Sequence, residues 1–264
     1  ASATRYSKKV IQSSVFSTYN IVDHSIYNQM KNTVSANNSD ELIITTTSGS
    51  TGEPKLIVYT HQQLFRIGKR NVQAYNYTGT STCHTRNMHH AFVLLCHFLP
   101  SLTGIQTHHT NTFPMVDNHH ELLALYQTLS HYKIDNVVLS YKSMLDNLIA
   151  LMIDRKLKFD HKITFIVGGF YITNDYVEKI RLVNVDCLIS TFGSNETLAP
   201  ILLRHIYQNT STNGYQPNFL GLPCDDYYKL SVTEDHRLSV ECKDQFDSAV
   251  VMDDRFDGDI NNGF

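Results

Sequence analysis

The sequence predicts an α/β fold: a mostly parallel β-sheet covered by helices, followed by a smaller antiparallel β subdomain. Three observations lead there. Between residues 119 and 191, short apolar runs alternate with amphipathic stretches, the mark of strands buried on both faces and separated by crossover helices. Earlier, residues 45–60 place a Ser/Thr/Gly-rich loop between two short β-prone runs. Beyond residue 207 the pattern changes to short strands divided by turn signals. The expected organisation is an N-terminal helical segment and linker over residues 1–40, an α/β core over 41–207, and a small β subdomain over 208–264.

Each element has a local cause. Residues 6–27 carry Val10, Ile11, Val15, Phe16, Tyr19, Val22 and Ile26 in loose helical spacing, and residues 31–40 read as a polar linker. Residues 42–44 and 56–59 are the arms of a hairpin around the loop. Thr60 suits the N-cap of a helix over residues 61–76, with Leu64, Val72 and Tyr75 on one face. A strand over 80–85 carries Cys83. A helix over 93–99 stops at Pro100, and residues 104–109 return as a strand. Leu122, Leu123, Tyr126, Leu129 and Tyr132 give a helix over 119–132; residues 136–139 are a buried strand; residues 144–152 form a helix with Leu145, Leu148, Ile149 and Met152 inside. A strand over 163–167 feeds Gly168 and Gly169, Thr173 caps a helix to residue 183, and residues 187–191 are the next strand. Residues 201–207, a polar loop, GLP at 221–223 and strands over 227–232, 237–242 and 249–252 complete the chain, with a turn at residues 235–237 and a partly barrel-like sheet expected.

Composition excludes several classes. At 264 residues and 42% apolar, the chain can bury a substantial core. A net charge of -3 argues against a nucleic-acid partner. The fourteen histidines include pairs at 89/90, 108/109 and 119/120, yet none of the five cysteines (83, 96, 187, 224, 242) forms a CxxC, so no zinc spacing is present. Wide cysteine spacing suits free thiols in a reducing compartment. The longest apolar run, residues 91–96, is far too short for a transmembrane segment and no secretory apolar region is visible, so the expected location is cytoplasmic.

The most informative stretch is TSGSTGEPK at residues 47–55. Gly49 and Gly52 free the backbone, Pro54 stiffens the exit, and backbone amides, hydroxyls and Lys55 together form a set of donors suited to an oxyanion such as phosphate. It is not the mononucleotide loop GxxxxGK followed by Ser or Thr and a helix, because Lys55 follows a proline and enters a strand. Further motifs follow: NMHHAF at 87–92, IVGGFYIT at 166–173, TFGSNE at 191–196, GLP at 221–223 and DRFDGD at 254–259. In identity and order these resemble the adenylate-forming (AMP-binding) enzymes, the family of acyl-CoA synthetases, aryl-CoA ligases, peptide-synthetase adenylation domains and luciferases. The resemblance runs from about residue 42 to the end and implies an acyl-CoA synthetase-like adenylation core.

Carried over residue by residue, the resemblance implies that Thr47, Ser48, Gly49, Ser50, Thr51, Gly52 and Lys55 hold the ATP phosphates, with Lys55 also counted among the catalytic residues. His90 takes the family's histidine beside the acyl pocket and nucleotide. Gly168 and Gly169 let adenine or acyl group approach the backbone, with Phe170 and Tyr171 as flanking candidates. Phe192 stacks on adenine, with Gly193 beside it and Asn195 at the phosphate-contacting position. Glu196 binds Mg2+, and Asp259 holds the ribose. Phe192 replaces the usual tyrosine and keeps the ring; Asn195 replaces threonine; Asp257 replaces a hydroxyl residue and adds a second carboxylate beside Asp259.

The implied activity is ATP-dependent activation of a carboxylic acid to an acyl adenylate, with transfer to coenzyme A or a carrier-protein thiol. A fatty or aryl acid is preferred, because Ala91-Phe92-Val93-Leu94 offers no aspartate to pair with an α-ammonium. The resemblance stops before the family's hinge and mobile C-terminal domain, whose lysine bridges acyl carboxylate and phosphate. The reaction is therefore expected to be incomplete in this isolated chain, and a missing or separate C-terminal domain is an expected partner. The alternatives are a non-catalytic nucleotide-binding or assembly module and an amino-acid-activating adenylation domain.

Overall fold

The Ser/Thr/Gly-rich stretch is carried on a hairpin. Strands β1 (Leu42–Thr46) and β2 (Leu56–Thr60) pair antiparallel, from Leu42 opposite Thr60 to Thr46 opposite Leu56. The computed structural model describes residues 42–46, 56–77, 81–84, 100, 105–109, 118–139, 141–170, 172–173, 175–194, 197, 200–208, 220–224, 227–242 and 249–256. The helical turns expected over residues 6–27, the linker over 31–40 and the helix over 93–99 lie outside these. The chain divides into two compact units, residues 1–66 and 67–264.

Helix α1 (His61–Ala74) starts where Thr60 predicts, and its start is reinforced reciprocally. The Gln63 amide donates to Thr60 Oγ1 at 3.2 Å while the Thr60 amide donates to Gln63 Oε1 at 2.9 Å, a capping box that satisfies two otherwise unpaired donors. Leu64, Ile67, Asn71 and Tyr75 form its buried stripe, and Val72 is only partly covered. Helices α2 (His119–His131), α3 (Lys142–Asp154) and α4 (Asp175–Leu182) follow. In α2 the inward residues are Leu122, Leu125 and Leu129, whereas Tyr132, expected inside, is 55% exposed. Ahead of α4, the Thr173 hydroxyl donates to the Asp175 carboxylate rather than serving as a simple cap.

All four described helices stop by the same device. Asn76, Lys133, Lys156 and Asn184 adopt left-handed φ values of 46°, 51°, 54° and 60°. In each case the next residue donates back across the turn: Tyr77 to the Val72 carbonyl, Ile134 to Leu129, Leu157 to Met152 and Val185 to Ile180. This is the Schellman arrangement, and every one of those donor and acceptor residues is apolar, as its accompanying side-chain contact favours.

Among the described residues, the second unit is built on a seven-stranded sheet. Strands β3 (Ser81–His84), β4 (Gln106–His109), β5 (Asn136–Leu139), β6 (Thr164–Gly168) and β7 (Cys187–Phe192) run parallel. Strand β8 (Leu202–Gln208) joins antiparallel, followed by β9 (Leu222–Pro223), in the order β4-β3-β5-β6-β7-β8-β9. One face packs Val137, Leu139, Phe165, Val167 and Leu188 with residues of α2, α3 and α4 in a single core. The alternate residues Val138, Ile166 and Ile189 are also buried, and on that face Tyr75, just past α1, reaches Thr191, its hydroxyl 3.3 Å from Thr191 Oγ1. Burial of a large aliphatic or aromatic side chain contributes about 1.5–3 kcal/mol, so this double cover, rather than strand propensity, holds the sheet.

A separate three-stranded antiparallel sheet follows, formed by β10 (Lys229–Val232), β11 (Arg237–Glu241) and β12 (Val250–Arg255). The β10–β11 turn is closed by the Thr233 amide donating to Arg237 O at 2.8 Å, with His236 at a φ of 63°. One expectation changes here: GLP, expected within the small subdomain, pairs with β8 in the large sheet. Among the described residues the small sheet is a three-stranded antiparallel ladder. The molecule is thus an α/β fold with a mixed, mostly parallel sheet and a smaller antiparallel β subdomain. Among the described residues, no helix is long and apolar enough to cross a membrane.

Candidate functional site

The parallel register of β6 and β7 decides which motifs meet. Gly168 is the last residue of β6 and lies opposite Thr191, one residue before the end of β7. The two strands therefore deliver Gly169 and the Phe192-Gly193 pair to the same C-terminal edge of the sheet, where parallel α/β sheets place their ligand sites. Gly169 has a φ of +78°, unfavourable for an L side chain, and a Cβ built there meets no heavy atom of the described residues within 4 Å. Among the described residues, the space directly above this backbone is open. Gly193 is exposed beside it and Phe192 is partly exposed.

The third motif reaches the same place from the small sheet. Phe256, just past β12, is 3% exposed and meets Phe192 edge-on, ring centroids 5.3 Å apart at 77°. Its amide donates to His236 O at 2.7 Å, which fixes the ring against the small sheet. An aromatic pair of this geometry adds about 0.5–1.5 kcal/mol beyond its area burial. It brings the segment leading to Asp259 beside the end of β7. The described parts of three motifs separated along the chain, Gly168-Gly169 of IVGGFYIT, Phe192-Gly193 of TFGSNE and Phe256 of DRFDGD, converge on one edge.

The loop after Phe192 is closed and internally braced. Ile201 donates to the Phe192 carbonyl at 2.8 Å, joining its two ends. Inside, the Ser194 amide donates to Thr197 Oγ1 at 3.2 Å and the Thr197 amide donates to Ser194 Oγ at 3.4 Å. Tyr228 donates its hydroxyl hydrogen to the Thr197 carbonyl at 2.7 Å. Pro200 O accepts from Cys224 Sγ at 2.7 Å and from Arg70 Nη2 at 3.4 Å.

Of the site residues expected from sequence, Gly168, Gly169, Phe192 and Gly193 are brought together. Thr47, Ser48, Gly49, Ser50, Thr51, Gly52, Lys55, His90, Asn195, Glu196 and Asp259 lie outside the described residues, as do Tyr171 and Asp257. Phe170 packs against the main core, so it acts as a packing residue. The strand order reverses at β3, with β4 on one side and β5 on the other, so the crevice between the ends of β3 and β5 is the sheet's switch point. Strand β3 ends at His84, and the chain continues from there toward His90. Sequence reasoning did not single out Phe256, although it is the one apolar side chain within DRFDGD. Arg70, Tyr227 and Tyr228 carried no signal, because an arginine in an amphipathic helix ordinarily faces solvent.

Cys187 and Cys242 are free thiols. Burial, and secondarily the neighbouring Asp186 charge, pushes the Cys187 thiol up to about 11, which keeps it protonated at neutral pH. Among the described residues, no group of three or more His, Cys, Asp or Glu could hold a metal.

The AMP-binding enzyme family model matches residues 3–237. Solved structures agree at the level of fold. O-succinylbenzoate coenzyme A synthetase from Bacillus subtilis, in complex with ATP and magnesium ion, superimposes with a TM-score of 0.60 at 14% identity, covering 78% of this chain and 42% of its own. The N-terminal domain of FACL13 from Mycobacterium tuberculosis gives 0.62 at 14% identity, covering 77% and 50%. The adenylation domain of a keto acid-selecting NRPS module, bound to keto acyl adenylate, gives 0.63 at 12% identity, covering 80% and 45%. The chain thus spans half or less of the length of each of these three. No curated protein sequence matches it. With most of its length, residues 3–237, matched to the family model, this chain belongs to the AMP-binding enzyme family.

Proposed function

We propose that this chain binds ATP at the C-terminal edge of β6 and β7 and serves the adenylation of a carboxylic acid, releasing pyrophosphate, with a coenzyme A or carrier-protein thiol as the acyl acceptor. The observation that carries the reading is the convergence of Gly169, Phe192 and Phe256. An open space above a glycine of positive φ, bounded by a partly exposed ring, suits a flat aromatic base. The donor chemistry that the resemblance assigns to residues 47–55, Asn195, Glu196 and Asp259 suits the rest of the nucleotide.

In this reading each residue has a physical task. Phe192 offers its ring to adenine, held in place by Phe256. Gly169 admits the ligand where a side chain would project into it. Thr47, Ser48, Ser50, Thr51 and Lys55 orient the β- and γ-phosphates through hydroxyls, amides and one cation. Asn195 contacts phosphate, and Asp259 accepts from the ribose hydroxyls. Glu196 is a hard oxygen ligand for magnesium, which when bound neutralises phosphate charge. His90 borders the acyl pocket and the nucleotide. Lacking an aspartate in residues 91–94, the acyl side favours a fatty or aryl acid over an amino acid.

Carboxylate-dependent exchange of labelled pyrophosphate into ATP, run on the full-length protein with fatty, aryl and amino acids, tests the chemistry. Exchange with fatty or aryl acids is the expected outcome. Exchange confined to amino acids overturns the substrate class, and ATP binding without exchange for any acid supports a non-catalytic nucleotide module instead.

A further inference from the structure

We propose that the Thr82–Asn136 pair, inside the large sheet, is a binding site for an ordered water molecule that joins β3 to β5. The proposal is independent of the nucleotide reading. Asn136 is the first residue of β5, whereas the proposed nucleotide space lies beyond the opposite ends of the strands.

The strand register sets a polar row beside an apolar one. Successive Cα partners run from Thr107 to Thr82, Asn136, Thr164 and Cys187, across β4, β3, β5, β6 and β7. Partners in register share a face of the sheet. Two residues further along β5, β6 and β7, that face carries Val138, Ile166 and Ile189, all buried. Within the row, Thr82 is 0% and Asn136 1% exposed, while Thr107, Thr164 and Cys187 are half-buried.

Buried polar groups are almost always hydrogen-bonded, to protein or to water. Thr82 Oγ1 and both amide atoms of Asn136 are buried and have no hydrogen-bond partner in the protein. Turning the amide over changes nothing, because its oxygen and its nitrogen are equally unpartnered. The two side chains spring from neighbouring strands, spaced about 4.8 Å apart, yet make no bond to each other. A hydroxyl and a carboxamide held side by side and out of direct reach suit a water, which both donates and accepts. An apolar occupant would leave all three atoms unpaired, and a cation would find no balancing charge in this pair. The pairing of β3 with β5 is also the shortest parallel one among the described residues, three register pairs against four or five elsewhere. The bridge therefore strengthens the seam that flanks the sheet's switch point.

The test combines magnetic relaxation dispersion of water oxygen, which counts long-lived internal waters, with urea unfolding of the same samples. The samples are the parent chain, Thr82→Val, Asn136→Leu and the double variant. Either single substitution is expected to lower the dispersion by about one water, and the second to lower it no further. Thr82→Val should raise the unfolding equilibrium constant by about three- to tenfold. In the Asn136→Leu background it should raise it by less than about twofold, because the shared water has already gone. Should Asn136→Leu fail to fold, Thr82→Ser serves beside Thr82→Val: serine keeps the hydroxyl and should retain the parental dispersion, while valine should not. A parent with no long-lived water, or a dispersion that survives the substitutions, overturns the proposal. So does a Thr82→Val variant as stable as the parent or more so, or a double variant whose losses are additive.

Discussion

Two glycines of left-handed or extended positive φ sit in family motifs, and the structure gives them opposite jobs. Gly169 faces open space, whereas a Cβ at Gly221 would lie 2.5 Å from the Leu203 carbonyl oxygen. Gly169→Ala is therefore expected to lose only about 1–2 kcal/mol of stability, the backbone strain of an L residue there. Its ATP affinity should fall by a further factor of about ten, because the methyl group enters the proposed nucleotide space. Gly221→Ala is expected to lose about 3 kcal/mol or more, since backbone cannot move aside cheaply. Urea unfolding and ATP titration of the two variants check both statements, and a Gly169→Ala variant with parental affinity contradicts the placement of the ligand. Phe192→Ala should weaken ATP and AMP together by about 1–3 kcal/mol, the usual worth of base stacking on an aromatic ring, while Phe192→Tyr should not. At this scale the sequence names Gly168, Gly169 and Phe192 because their chemistry is local. It is silent on Phe256 and Arg70 because their roles come from neighbours distant in the chain, Phe192 in one case and Tyr227 and Tyr228 in the other.

Element ends show where local reading succeeds and where it stops. Strand β5 follows from an apolar run that is buried throughout, helix α3 from an amphipathic stretch whose inward face is Met144, Leu145, Leu148, Ile149, Leu151 and Met152, and the β1–β2 hairpin from its two β-prone arms. The helix stops were illegible because Lys133 and Lys156 occupy positions where glycine is the usual signal; only the apolar residue after each one marks the turn. Replacing Lys156 with glycine is expected to stabilise the chain by up to about 1 kcal/mol, the relief of left-handed strain less the added freedom of the unfolded chain. A lowered urea midpoint would count against this. The short strand β9 leaves no mark in the sequence because two residues carry no periodicity, and only the pairing of Leu222 and Pro223 with Leu203 and Leu202 places it. On β8, burial lowers the His205 imidazole below its ordinary value of 6.5. The unfolded chain consequently takes up the proton first as pH falls, so stability is full above 6.5 and is lost as pH drops through the lower folded value. His205→Gln should flatten that acid-side loss, as read from urea unfolding on either side of the window.

For the whole molecule, the parallel strand order and the small antiparallel sheet matter because together they carry chemically incomplete motifs to one edge. No single motif could hold a nucleotide: IVGGFYIT offers space, TFGSNE a ring and a carboxylate, and DRFDGD a further carboxylate. The proposal accordingly predicts separable defects. Glu196→Gln should lower magnesium-dependent ATP affinity by about tenfold and leave AMP nearly untouched, whereas Asp259→Ala should weaken ATP and AMP alike by about tenfold. The gathering of these segments was foreseeable from motif order, but its register was not, since Gly168 opposite Thr191 and Phe256 against Phe192 are products of packing. The most direct measurement is photolabelling of the chain with an azido-adenine analogue of ATP, followed by peptide mass spectrometry with excess AMP as competitor. The account predicts AMP-protected label on the peptides that contain Gly169, Phe192 or Phe256. Label confined to the outer surface of α2 or to the β10–β11 turn, and insensitive to AMP, would contradict it.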